Sequence, residues 1–96
     1  MAVYAVVSIE VFNGDEYAKY AELAGPAVVK YGGKFLARGG EVKVKEGSAR
    51  DRNVIIEFPD METAEKFYHG PEYTEALSFA LAEGVSERGY FFVQGV

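Results

Sequence analysis

From Val3 to Val11 the chain is apolar at both parities, with Ser8 and Glu10 as the polar exceptions. That pattern predicts a central strand covered on both faces. Asn13 can cap a following helix, with Glu16 three residues on to complete a capping box. Tyr17, Tyr20, Ala21, Ala24, Val28 and Tyr31 then recur at helical spacing. Pro26 removes a backbone donor inside that pattern and is expected to kink the helix near Glu22. Lys34 to Lys45 reads as a second strand, its strict Glu-Val-Lys-Val-Lys alternation at the end suiting an edge. Asn53 to Phe58 reads as a third strand, again apolar at both parities, and Pro59 stops it. Asp60 caps a helix striped by Met61, Ala64, Phe67 and Tyr68. Gly70-Pro71 breaks it and starts another, from Glu72 to about Glu83, striped by Tyr73, Ala76, Leu77 and Ala80. Tyr90 to Val96 closes the pattern as a fourth strand.

The order is β-α-β-β-α-β with the second helix in two pieces. Right-handed crossovers convert it into an α+β, ferredoxin-like domain over residues 1–96, a four-stranded antiparallel sheet with helices on one face. The first and third strands are central in that topology, and they are the two that read as apolar on both faces. Helices cover only one face, however, and Tyr90-Phe91-Phe92-Val93 would be an exposed aromatic edge. A homodimer with the two sheets packed together resolves both difficulties.

Composition narrows the partners. The net charge is −5 over 96 residues, which argues against nucleic acid or an anionic membrane surface. No apolar run approaches the roughly 20 residues that span a bilayer. The chain enters its first strand pattern directly, and no signal peptide is expected. Cysteine is absent, which excludes disulfides and thiolate chemistry and fits a reducing cytoplasm. A core of this size gives a marginal domain, which a partner subunit would help.

Two Gly-Gly pairs bracket a short apolar run in Tyr31-Gly32-Gly33-Lys34-Phe35-Leu36-Ala37-Arg38-Gly39-Gly40. The first pair is placed to end a helix. The second is expected to bulge the strand and aim Arg38. These residues, with Glu46-Gly47, Ile56-Glu57-Phe58-Pro59, Ala64, Tyr68, Pro71-Glu72-Tyr73 and Gly95-Val96, resemble the domain of unknown function 1330 family of the dimeric α/β-barrel group. The resemblance covers nearly the whole chain. It implies a ferredoxin-like subunit, a dimer, and a pocket between sheet and helices. It implies no reaction, since related barrels span several chemistries, cofactor-free monooxygenases among them. Family members often carry an arginine near position 80, where this chain has Ala80. A contact to an anionic ligand is then lost, or the ligand differs.

Candidate chemistry centres on Glu57, a carboxylate within a central-strand pattern that must be paired, hydrogen-bonded or raised in pKa. Arg38 is its expected partner across a hairpin reversing near Gly47-Ser48. The pair is either a structural brace or a pocket wall, with Arg38 and Gly39 at a ligand oxyanion and Glu57 as base or orienter. His69, the only histidine, is either a general base or a helix-end residue that meets the dipole. Tyr17, Tyr20, Tyr68 and Tyr73 are either core or the lining of a partly polar cavity, with Tyr20 and Tyr73 the preferred ligand contacts. Ser8 and Glu10 are weaker candidates. No metal-ligand cluster, phosphate loop or dinucleotide fingerprint is present, and no cofactor is expected. A small organic ligand for a cofactor-free enzyme, and a non-catalytic binding or protein-interaction module, are the two readings.

Overall fold

In the computed structural model, which describes all 96 residues, the chain runs β1 (Val3–Val11), α1 (Gly14–Lys30), β2 (Lys34–Arg38), β3 (Arg52–Phe58), α2 (Met61–His69), α3 (Pro71–Ala80) and β4 (Ser86–Gln94). The strands form one antiparallel sheet in the order β2-β3-β1-β4. The fold is ferredoxin-like, with β1 and β3 central as their patterning predicts. No helix is long and apolar enough to cross a membrane.

Residues directly opposite each other in an antiparallel pair share a face. Val3, Ala5, Val7 and Ile9 of β1 face the helices, opposite Phe58, Ile56, Val54 and Arg52 of β3. Tyr4, Val6 and Ser8 face the other way, opposite Glu57, Ile55 and Asn53. The core lies on the first face, where Phe58 and Phe67 are fully buried and their rings lie 5.1 Å apart.

Local chemistry sets the helix ends. The Asn13 side chain accepts from the Glu16 amide at 3.2 Å, and Asp60 accepts from Thr63 at 2.7 Å. The capping box closes only halfway, because the Glu16 carboxylate turns to Lys19 at 2.8 Å. Helix α1 continues unbroken through Pro26. It ends at Lys30, and Gly32 just beyond it adopts φ 77° and donates to the Val29 carbonyl, as the first glycine pair predicts. A Cβ at Gly33 would approach Val28 and Phe58 to 2.7 and 2.8 Å, so this glycine lets the chain turn tightly over the core.

Three expectations on the strands are corrected. The second strand ends at Arg38, not Lys45. Glu41 to Lys45 alternates but has no strand to pair with, since β3 begins only at Arg52. The bulge lies at Leu36, between Phe35 and Ala37, and not at Gly39-Gly40. The fourth strand starts at Ser86, four residues before Tyr90, and draws Arg88 into the sheet opposite Ile9.

A tyrosine and arginine cluster between helices and sheet

The bulge decides where Arg38 points. Phe35 pairs with Ile56 and Arg38 with Val54, both on the covered face. One extra residue between them reverses the alternation, so side chains three apart share a side. The Arg38 guanidinium carbon lies 4.2 Å from the centre of the Phe35 ring, a cation–π distance. Its outer edge rests against α1 at Gly25, where a Cβ would come within 3.2 Å of Nη2. Glu57 sits opposite Lys34 and Tyr4, on the uncovered face. Arg38 and Glu57 therefore lie on opposite sides of the sheet, and the ion pair expected between them does not form.

Between α1 and the sheet is a cavity of about 40 Å³. Its walls are mainly apolar, with Val7, Ile9, Ala24, Val54 and Phe67 among them, and its polar lining comes from Tyr17, Tyr20, Tyr73, Tyr90, Arg38 and Arg52. Such a volume holds about three waters and falls short of the ~150 Å³ that accommodates benzene in a closed apolar cavity. An aromatic-sized ligand would need Arg38, which is exposed at the rim, to swing aside. Gly39, at φ 69°, serves the site through Arg52: a side chain at Gly39 would collide with the Arg52 guanidinium.

Tyr20 and Tyr73 meet at the polar end, their hydroxyl oxygens 2.9 Å apart. Arg88 Nη2 donates to both at 3.0 Å, and the guanidinium carbon lies 4.6 Å from the Tyr20 ring centre. The residue as a whole is half-buried, yet its Nε and Nη1 are sealed from solvent without a partner, as are the hydroxyls of Tyr17 and Tyr90. Burial works against the charge on Arg88, but the phenolic oxygens of Tyr20 and Tyr73 outweigh it and shift its pKa up. Arg88 stays a cation. Burial pushes the Tyr17 hydroxyl up to about 12 and raises Tyr73 and Tyr90 as well. All three phenols are protonated donors near neutral pH.

No carboxylate lines the cavity, and no arginine in the protein forms a salt bridge. The other sequence candidates lie elsewhere. His69 is exposed at the end of α2 and pairs with Glu65 at 3.2 Å. Ser8 and Glu10 are on the uncovered face, opposite Gly89 and Glu87. Tyr68 packs edge-on against Tyr90, with ring centres 5.2 Å apart, outside the cavity wall. Ala80 is fully buried at the end of α3, a helix without basic residues; the interior cation comes from β4 instead. Arg88 falls outside the strand pattern that begins at Tyr90, because Gly89 stands between it and the aromatic run. Extending β4 backward from Tyr90 at period two would have placed Arg88 beside it.

The sequence matches the family described as domain of unknown function (DUF1330) over residues 2–96, and the chain belongs to that family. No curated protein matches it. Among solved structures, a protein of unknown function from Rhodopseudomonas palustris is similar, with TM-score 0.77, 19% identity, and 99% of this chain and 82% of that one covered. A dimeric protein of unknown function and ferredoxin-like fold from Bacteroides fragilis is similar with TM-score 0.59 and 14% identity, covering 98% and 96%. SnoaB, a cofactor-independent oxygenase from Streptomyces nogalater, is similar with TM-score 0.60 and 12% identity, covering 99% and 93%. At these identities the likeness is one of fold.

Proposed function

We propose that this protein is a homodimer that binds a small organic molecule in the cavity between α1 and the sheet. One observation carries the reading: a mainly apolar cavity is lined at its polar part by the hydroxyls of Tyr20 and Tyr73, which converge on each other and on Arg88 just behind the wall. Binding sites commonly combine a largely apolar wall with a few aimed polar groups. Arg38, Tyr20 and Tyr73 are the proposed contacts, with Arg52 beside Gly39. Glu57 has no part in it, because it faces away from the cavity.

Binding without proton abstraction by the protein is the function this geometry supports best. The wall contains neither carboxylate nor imidazole, and its shifted phenols are donors, not bases. An enzyme built on this site would stabilise a developing oxyanion and leave basic steps to the substrate itself. SnoaB supports the cofactor-free enzymatic reading through fold analogy alone.

The dimer reading rests on the uncovered face. There Ile55, Val6 and Phe91 stand side by side across three strands, and Phe91 and Val93 are 54% and 45% exposed. A contiguous apolar row on a sheet face marks a contact surface. With no cysteine in the chain, we place the dimer in a reducing cytoplasm.

Cavity filling tests the site. Ala21 lines the cavity, and Ala21→Leu should fill it. A panel of small neutral and charged organic compounds should include some that raise the melting temperature of the wild type and fail on Ala21→Leu. A panel with no stabilising member, or equal shifts in the two proteins, sinks the reading.

A further inference from the structure

Counting protons on the cluster shows which ligand chemistry it lacks. Arg88 Nη2 carries two protons, and both are used, one on each of Tyr20 and Tyr73. One of those hydroxyls donates to the other. The Nε proton and the two Nη1 protons of Arg88 have no partner, and neither do the hydroxyls of Tyr17 and Tyr90, which can donate or accept. The cluster holds a fixed positive charge and unpartnered guanidinium protons, while the cavity wall beside it supplies no carboxylate.

The surrounding charges sharpen the imbalance. Arg52 and Arg88 stand on either side of Ile9 on the covered face, in register with it. Arg38 adds a third guanidinium at the rim. None of the three has an anionic partner, in a protein whose net charge is −5. Acidic residues are plentiful, yet none lines the cavity. A buried cation without a counter-charge is costly, and so is a buried donor without an acceptor. A ligand that brings both a negative charge and several lone pairs offsets both costs at once.

We infer that the ligand is a small carboxylate, its anionic oxygens held by the cavity-lining hydroxyls of Tyr20 and Tyr73 and by Arg52, with Arg88 behind those hydroxyls as the charge that polarises them. This rests on the cavity being a ligand site. A carboxylate supplies two oxygens with about four lone-pair positions, which suits a fork of guanidinium and phenol donors. The cavity volume of about 40 Å³ sets the size of the part enclosed: a carboxylate with one or two further carbons. A longer body must leave through the rim past Arg38 and Phe35. Arg88 thus supplies charge from behind the cavity wall, and Arg38 is the contact at the rim.

The test uses matched probes and two variants. Acetate, pyruvate and benzoate are compared with acetamide and benzamide, at constant ionic strength, by thermal shift and by isothermal calorimetry. The carboxylates should raise the melting temperature and bind at least tenfold more tightly than the amides of the same shape. Arg88→Met should weaken that preference several-fold, because the hydroxyls of Tyr20 and Tyr73 lose the charge behind them. Arg88→Lys should keep a weakened preference, since the charge survives without the fork. Amides that bind as well as carboxylates overturn the inference while leaving a ligand cavity in place. So does an unchanged carboxylate preference in Arg88→Met. If Arg88→Met does not fold, Arg88 is a structural strut, and the wild-type comparison of acid with amide still decides the ligand class.

Discussion

On the covered face of the sheet, Arg52, Ile9 and Arg88 form one cross-strand row beneath the helices; on the uncovered face, Ile55, Val6 and Phe91 form a corresponding row directed outward. In an isolated subunit this is an inverted arrangement. Guanidinium groups lie where desolvation is costly, and large apolar side chains lie where water reaches them. Each row is incomplete without a partner, and the two rows call for different partners. The apolar row is completed by apolar surface, for which a second copy of the same row suffices. The partner proposed for the cationic row is an anion small enough to fit under α1. The same central strands carry both rows, because alternation sends successive side chains to opposite faces.

Mutations can separate the two faces. The largest effect should come from the core that holds the covered face together. Phe67 is fully buried, with the Tyr73 ring 4.6 Å away. Phe67→Ala should cost about 3–5 kcal/mol in denaturant unfolding. A loss below 1 kcal/mol would show that α2 is not what seals this face.

Phe91→Glu strikes the outward row. It should shift sedimentation from dimer toward monomer, weakening association by about 2 kcal/mol or more if Phe91 is central to the contact. The carboxylate preference of the cavity should survive wherever the subunit stays folded. A dimer that persists unchanged refutes this face as the contact.

Tyr73→Phe removes one hydroxyl from the polar end and leaves its neighbours short of a partner. A loss of about 1–2 kcal/mol is expected, together with a weaker response to acetate. Stability unchanged and binding unchanged would show that the hydroxyl pair is incidental.

Acid should act at a third place. Lys30 and Tyr31 of the α1 end both donate to Glu72 at the start of α3. The Lys30 bond, ahead of the others, holds the Glu72 carboxyl down at about 2 from its ordinary 4.5. A carboxylate lowered on folding contributes stability that is present above its unfolded value and lost as pH falls through the folded one. Melting temperature should therefore drop between about pH 4.5 and 2, and Glu72→Gln should flatten that drop. An identical acid profile in the variant rules out this contact as the cause. The smallest effects belong to Glu57→Gln and His69→Ala, each within about ±0.5 kcal/mol. Neither should change the response to carboxylates. A response abolished by Glu57→Gln would return that residue to the site and break the division between faces.

How far the site was legible in the chain differs from residue to residue. Tyr20 and Tyr73 could be picked out because helical period places them on inward stripes, and both line the cavity. Arg38 could be named as a pocket residue, but its partner could not. One extra residue at Leu36 shifts the register between β2 and β3, and a shift of one reverses the face of every later side chain. Nothing in Lys34 to Arg38 marks that bulge, since no glycine occupies it. Arg88 escapes the strand pattern because Gly89 separates it from the aromatic run of β4.

Periodicity and punctuation by themselves determined the order of elements, the central places of β1 and β3, the caps at Asn13 and Asp60, and the helix stop at Gly32. All are local, set by 2.0 and 3.6 residue repeats and by the backbone freedom of particular residues. Tertiary structure alone decided which charges meet. It put Glu57 outside, Arg38, Arg52 and Arg88 on the covered face, and the Tyr20 and Tyr73 hydroxyls together across 53 residues of chain. Strand register and helix packing bring such residues together: Glu57 stands opposite Lys34, four residues from Arg38, and the bulge at Leu36 turns Arg38 to the other face of the sheet.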